Sequence, residues 1–200
     1  MDLNCPSCGG AVPSRLKYAK LLVCPHCQVS LFLEDEAVKN AGERSVLTTV
    51  PSIFELGRRY QYRNWTLETY GRVRFDYGHG FWDEWWVVLD SGQGRWVSID
   101  EGDIAVESPI EFNQAPPDFD SLVVGHGLSI ADHTGTVTEK NEAVCLGLEG
   151  ELPEVIAPGD RHQYAHLSAP GGVLLTLEFY PDRFALTKGL WIDPFDIQTL

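Results

Sequence analysis

The chain has 200 residues and a mass of 22.3 kDa, with 44% hydrophobic residues, enough for one good core and a small satellite. Its formal charge of −14 is uneven: residues 1–75 carry ten Lys+Arg against seven Asp+Glu, whereas residues 76–200 carry five against 22. The acidic part repels phosphate backbones and anionic headgroups, which makes nucleic acid a poor candidate partner for the main body, and it attracts polyamines, other small cations or basic protein surfaces.

No window approaches the roughly 18 uninterrupted apolar residues of a membrane span, and the N-terminus shows no apolar leader. The chain therefore reads as soluble and cytoplasmic, so any tie to a membrane would run through a membrane-protein partner.

Residues 1–34 contain "CPSC" (Cys5, Cys8) and "CPHC" (Cys24, Cys27) with fifteen residues between the inner cysteines. Two such knuckles direct four thiolates at one ion, so the spacing predicts a zinc ribbon. Four thiolates close a tetrahedral shell and leave no position for a reacting water, which makes the metal structural. Two redox pairs or two disulfides are the alternatives, and a reducing compartment disfavours them. His26 lies between the ligands of the second knuckle and is not counted among them. A ribbon of this size can act as a docking knob for a protein partner. Arg15, Lys17 and Lys20 make it only mildly basic, which favours solvated charge over nucleic-acid binding.

Residues 35–50, beginning "DEAVKNAGERSV", form a polar stretch suited to a linker or short helix. From residue 51 the helical period is absent and two-residue alternation recurs. In "TLETYGRVRFDY", Leu67, Thr69, Gly71, Val73, Phe75 and Tyr77 take one face, with Glu68, Arg72, Arg74 and Asp76 on a face expected to meet water. Glycine turns such as "DSGQG", "DEGD" and "APGG" punctuate segments of strand length, as in barrels or sandwiches.

A weak internal echo pairs Leu56-Gly57 and "GRV" at 71–73 with Val124-Gly125 and "GTV" at 135–137. The predicted fold is mainly β: a zinc ribbon followed by two related small β-barrel-like, SH3-like units, at 51–113 and 114–200.

The segment "GFWDEWWVVLD", residues 80–90, is the most informative in the body. A strand here puts Phe81, Asp83, Trp85, Val87 and Leu89 on one face and Trp82, Glu84, Trp86 and Val88 on the other. Whichever face is buried, one acid shares it with two aromatic side chains, and that carboxyl must find a partner or shift its pKa upward. A cross-strand ion pair with Arg72, Arg74 or Arg95 is one answer. A groove in which tryptophan and carboxylate together hold a cation is the other. Trp82, Asp83, Glu84 and Trp85 are the contact candidates.

The run "WDEWWVVLDSGQGRWVSIDEG" resembles the W-D-E-[WY] strand and following hairpin of the bacterial domain-of-unknown-function 4178 family, and "EGELP", Glu149 to Pro153, resembles its downstream G-E-L-P segment. The resemblance covers roughly residues 51–195, and a four-cysteine ribbon ahead of the domain is a familiar arrangement. Members tend to be encoded beside polyamine-synthesis enzymes and small membrane proteins linked to envelope stress, which implies a role in that setting. Glu154 stands where the family usually has an aromatic residue.

Glu149 and Glu151 fall on one face of a strand and form a second candidate cation contact. His162 and His166 would present two imidazoles to one metal only on a helix, and the flanking "APGD" and "APGG" argue for a loop. Cys145 alternates with apolar neighbours as a buried small hydrophobe. Phosphate-binding, dinucleotide-binding, H-E-x-x-H and G-x-S-x-G signatures are all absent.

The expected function is a noncatalytic adaptor in which an acidic β body recognises a cationic ligand or basic protein surface. The alternative is an enzyme acting on a small cationic metabolite, with Asp83 or Glu84 paired with Glu149 or Glu151 as acid and base.

Overall fold

Alternation and tight turns yield sixteen strands in the computed structural model, which describes residues 2–34 and 37–200. The described residues contain no α-helix, only 3-10 turns at Phe119–Ser121 and Pro194–Asp196, and no helix long and apolar enough to cross a membrane.

The N-terminal module consists of β1 (Asp2–Asn4), β2 (Ala11–Pro13), β3 (Leu21–Val23), β4 (Val29–Glu34) and β5 (Ala37–Arg44). Residues 37–44, expected in a linker or short helix, are instead strand β5, hydrogen-bonded to β4. Their polar side chains suit an edge strand, which needs a neighbour for its backbone rather than a buried face for its side chains. Residues 35 and 36 of that stretch lie outside the described residues.

The body continues with β6 (Arg59–Tyr62), β7 (Trp65–Asp76), β8 (Phe81–Leu89), β9 (Gly94–Asp100), β10 (Asp103–Pro109), β11 (Gly127–Ile130), β12 (His133–Leu152), β13 (Arg161–Ala169), β14 (Val173–Phe179), β15 (Phe184–Ile192) and β16 (Ile197–Thr199). Glu101 and Gly102, both with positive φ, make the two-residue loop between β9 and β10 that matches the twist of a hairpin.

Eight antiparallel strands run in the order β7-β8-β9-β10-β15-β14-β13-β12, and β12 pairs again with β7, so the sheet closes into a barrel. The class is mainly β, with two related units, and each unit supplies four consecutive strands of one barrel. Neither half closes alone, because the β7–β12 and β10–β15 seams join one half to the other.

The relationship between the halves is visible in the backbone. Gly57 N–H donates to Thr69 O and Thr69 N–H to Arg58 O; at the same spacing along the chain, Gly125 N–H donates to Val137 O and Val137 N–H to His126 O. Each long strand carries a bulge one residue later, at Tyr70 and at Thr138. The Gly57 and Gly125 echo thus marks equivalent positions. The "GRV" and "GTV" echo is out of step, since Thr69, not Val73, matches Val137.

Strand β12 is long enough to serve four neighbours, the first of them β11, which pairs with His133–Thr136. Thr136–Val144 pair with β13, Val144–Gly150 with β7, and Glu151 and Leu152 with Leu22 and Leu21 of β3. The N-terminal sheet is therefore continuous with the barrel wall. Gly150 permits the bend: its φ is +76°, and a Cβ there would meet Tyr70 O at 2.2 Å. Leu16, Leu21 and Val23 of the module join Trp86, Leu148 and Leu152 in the core at that end of the barrel, and Tyr18 meets Trp86 edge-on at 6.4 Å.

Candidate functional site in the barrel lumen

Alternation along each strand decides what enters the barrel. On β8, Trp82, Glu84 and Trp86 point inward, while Asp83, Trp85 and Val87 point outward.

The outward set is covered by other parts of the chain. Asp83 makes a two-pronged pair with Arg74, Nε to Oδ1 and Nη2 to Oδ2 both at 2.8 Å, with Arg72 Nη1 3.5 Å away. Arg72 in turn reaches Glu149 at 2.7 Å and lies over the Trp85 ring, and Arg74 Nη1 donates to Thr48 O. Trp85 packs with Phe54, Tyr60 and Val87 under the 51–62 segment. The arginine face of β7 thus does not meet water as expected. Arg72 and Arg74 are buried because residues 45–56 cross this wall, Ser45 bonding both N–H and C=O of Leu148.

Glu151 is also buried outside the lumen. It accepts from Ser14 Oγ and from the backbone N–H groups of Arg15 and Leu16, which clamps the N-terminal module to β12. The candidate contacts Trp82, Asp83, Glu84, Trp85, Glu149 and Glu151 therefore divide: Trp82 and Glu84 line the lumen, and the other four lie on or beneath the outer wall. The barrel wall separates Glu84 from Glu149 and Glu151, so these acids do not face each other across a cleft.

The lumen brings six carboxyl groups together: Glu84, Asp100, Asp103, Glu107, Glu139 and Glu178. His162 and His166 join them, and among the described residues no Lys or Arg lines the cavity. The two histidines are four apart on β13, not in a loop, and so share its inner face.

Each of the three deepest acids receives only neutral donors. Trp82 Nε1 donates to Glu84 at 2.9 Å, Ser98 Oγ to Glu107 at 2.7 Å with Thr187 Oγ1 on the other oxygen, and Tyr180 hydroxyl to Glu178 at 3.1 Å. Burial, reinforced by the charges of Glu178 and Glu107, holds the Glu84 carboxyl well above the usual carboxylate range. Burial, then Glu154 and Glu107, pushes Glu178 up to about 8. Glu178 nevertheless keeps 15% of its side chain accessible, by way of the cavity.

His162 is 3% exposed, ringed by Phe75, Trp82, Tyr164 and Tyr180, and burial followed by the charge of Arg183 pushes it down to about 4, so it is neutral. Its Nε2 stands 3.5 Å from Glu178 Oε1 without forming a hydrogen bond, and Thr176 Oγ1 is also buried without a partner. At the outer rim, Asp103 and Trp191 are exposed, Asp100 is half-buried, and Glu139 receives the Tyr164 hydroxyl at 2.5 Å beside His166 Nδ1 at 3.4 Å.

Glu107 and Glu178 escaped the sequence reading. Their one signal is an acid at an inward position within a mostly apolar run, "IAVES" and "LLTLEF". Their convergence with Glu84 depends on the β10–β15–β14 pairing order.

The four N-terminal cysteines form the second site. Their Sγ atoms all lie within 4.8 Å of one another and can hold a metal ion, and none is in a disulfide. The backbone N–H of Val29 pulls the Cys27 thiol down to about 7. Cys145 is buried and pushed up to about 12 by that burial, which leaves it unreactive.

No curated protein and no solved structure matches this chain. A family model does: it spans residues 55–194, from just before β6 to just after β15, and so encloses both halves of the barrel and every lumen residue. The chain belongs to the family defined by the domain of unknown function DUF4178.

Proposed function

We propose that this is a noncatalytic binding protein whose barrel lumen takes up a cationic ligand. One observation carries the reading: Glu84, Glu107 and Glu178 face a shared cavity with neutral donors only and no lining cation. Buried carboxylates are stable only when protonated or paired, so an entering cation supplies the missing partner. The tryptophan and tyrosine walls add cation–π attraction. The acidic rim raises the local concentration of cations at the mouth.

The N-terminal module is read as a zinc ribbon. The contacts Cys5–Cys27 at 3.7 Å and Cys8–Cys24 at 3.8 Å support this, since a tetrahedron with Zn–S of about 2.3 Å has S···S edges of about 3.8 Å. The metal would be held by Cys5, Cys8, Cys24 and Cys27 and would act structurally, keeping Leu16, Leu21 and Val23 against the barrel end. Thiolate ligation suits a reducing compartment, the cytoplasm.

The test is isothermal titration of the full-length protein with 1,4-diaminobutane, spermidine, tetramethylammonium and Mg2+ at fixed ionic strength. Glu84→Gln keeps an acceptor for Trp82 and should keep the fold, while weakening cation binding at least about tenfold. A folded wild type that binds none of these cations, or a Glu84→Gln variant that binds them unchanged, would remove the reading. Metal analysis of the purified protein should find one zinc per chain, lost in Cys24→Ser.

A further inference from the structure

We infer that the lumen is built for a primary alkylammonium group, which enters head-first from the acidic rim and is held at the inner end by Glu178, His162 Nε2, Glu84 and Thr176 Oγ1. This rests on the proposed cation-binding role and names the class of cation.

Geometry first excludes one class. Among the described residues, the only group of three or more His, Cys, Asp or Glu whose donor atoms converge tightly enough for a metal ion is the cysteine cluster. The lumen acids are spread along the cavity instead, which suits a ligand with several N–H donors or an extended body better than one spherical ion.

Hydrogen-bond accounting separates the organic cations. His162 Nε2 and Thr176 Oγ1 are buried without partners, and Glu84 and Glu178 each accept from one neutral donor, leaving further acceptor capacity. A primary ammonium brings three donors and no acceptor, so it pairs with both unpartnered atoms and one carboxyl group, and its charge faces the other. A quaternary ammonium brings none and would leave them buried and unpaired, at a cost for each atom.

Size acts in the same direction. The space open to the centre of a water molecule is about 40 Å³, enough for a few water-sized groups, so a thin alkylammonium is accommodated more readily than a bulky quaternary head, and a guanidinium holds its donors in one plane rather than around a point. The direction of entry follows from the two ends. The inner end is covered by Tyr180, whose ring stacks on His162 at 4.8 Å and has the Arg183 guanidinium 4.0 Å from its centre. The N-terminal module occupies the region around Trp86. At the rim, Asp103 and Trp191 are exposed beside Asp100 and Glu139.

The experiment is titration of the full-length, metal-loaded protein with n-butylammonium, tetramethylammonium, guanidinium and Mg2+ at constant ionic strength, followed by calorimetry and by tryptophan fluorescence. The expected result is binding of n-butylammonium, with tetramethylammonium and guanidinium at least about tenfold weaker, and a loss of about tenfold in Glu178→Gln and in Thr176→Val. If tetramethylammonium, guanidinium or Mg2+ binds as tightly as n-butylammonium, this inference falls while the cation-binding role stands. If n-butylammonium binds selectively but Glu178→Gln and Thr176→Val, both folded by circular dichroism, bind it unchanged, the assignment to the inner end is wrong. If no cation binds, the proposed role fails, and this inference with it.

Discussion

The two halves of the barrel share a backbone and differ in what they place inside it. Gly57 and Gly125 make the same hydrogen bonds, and Tyr70 and Thr138 the same bulge. Following the pairing outward from those points, Trp82 is equivalent to His162, Glu84 to Tyr164, Trp86 to His166, Ser98 to Glu178, Trp96 to Thr176 and Glu107 to Thr187. Each of the three deepest acids, Glu84, Glu107 and Glu178, has a hydroxyl-bearing residue as its counterpart in the other half. Glu107 and Thr187, which are equivalent, are hydrogen-bonded to each other across the β10–β15 seam. A repeated scaffold thus carries a lumen that is not repeated, which allows Glu84, Glu107 and Glu178 to meet without a second copy of each.

The comparison can be broken most forcefully through pH, where the largest effect is expected. Glu178 has its carboxyl raised to about 8 in the folded protein, while Ser98, its counterpart, does not titrate. A carboxyl raised on folding contributes stability that is complete below its unfolded value, near 4.5, and lost as pH rises through about 8. For this one group the effect is on the order of 5 kcal/mol. Urea unfolding at pH 5, 7 and 9 should show Glu178→Gln gaining on the wild type as pH rises; a flat difference would contradict the burial of a protonatable carboxyl. For the same reason cation uptake should tighten as pH rises toward 8, with protons released on binding in buffers of differing ionisation enthalpy.

The outer walls offer the next contrast. Arg74 is 3% exposed and paired with buried Asp83, whereas Glu142, at the matching point of the second half, pairs with Arg161 on an exposed surface. Arg74→Ala should cost about 3–5 kcal/mol because it strands a buried carboxylate, and Glu142→Ala about 1 kcal/mol or less. Chemical denaturation of both variants checks this, and similar losses in the two would show that the walls are energetically alike.

The smallest and sharpest test uses two threonines that are neighbours in the lumen. Thr187 donates to Glu107, while Thr176, paired opposite it on β14, has a hydroxyl without a partner. Thr187→Val should lower stability by about 1.5–3 kcal/mol, and Thr176→Val should leave the unliganded protein unchanged or slightly more stable. Equal effects on the denaturation midpoint would remove the distinction between an occupied and an open position.

How much of this could be read from the chain alone follows from the range of each signal. The cysteine knuckles and the two-residue alternation are local, and both were legible. So was the presence of Trp82 and Glu84 on a common face. Which face turns inward was not, because it depends on what covers the outside: residues 45–56 and 51–62 bury Arg72, Arg74 and Trp85 on a wall that alternation alone would leave wet. Glu151 looked like a ligand contact because nothing local reveals the Arg15 and Leu16 amides that it receives from more than a hundred residues earlier. Glu107 and Glu178 were invisible as partners of Glu84 for the same reason: their meeting is a property of closure. Strand β5 was missed because an edge strand can be polar on both faces.

Strand β12 also sets an order of events during synthesis. Leu21 and Leu22 leave the ribosome early, yet their edge of the sheet is completed only by Glu151 and Leu152. The four cysteines can come together at once, but the β3 edge that meets β12 must stay unpaired while most of the remaining chain is made, and the barrel seam through β15 waits longer still. Closure through such distant contacts is slow. A nascent chain halted before residue 133 would therefore present an N-terminal module with an open edge and half a barrel with none of its second-half walls. Binding to quality-control factors should fall abruptly once β12 to β15 have emerged.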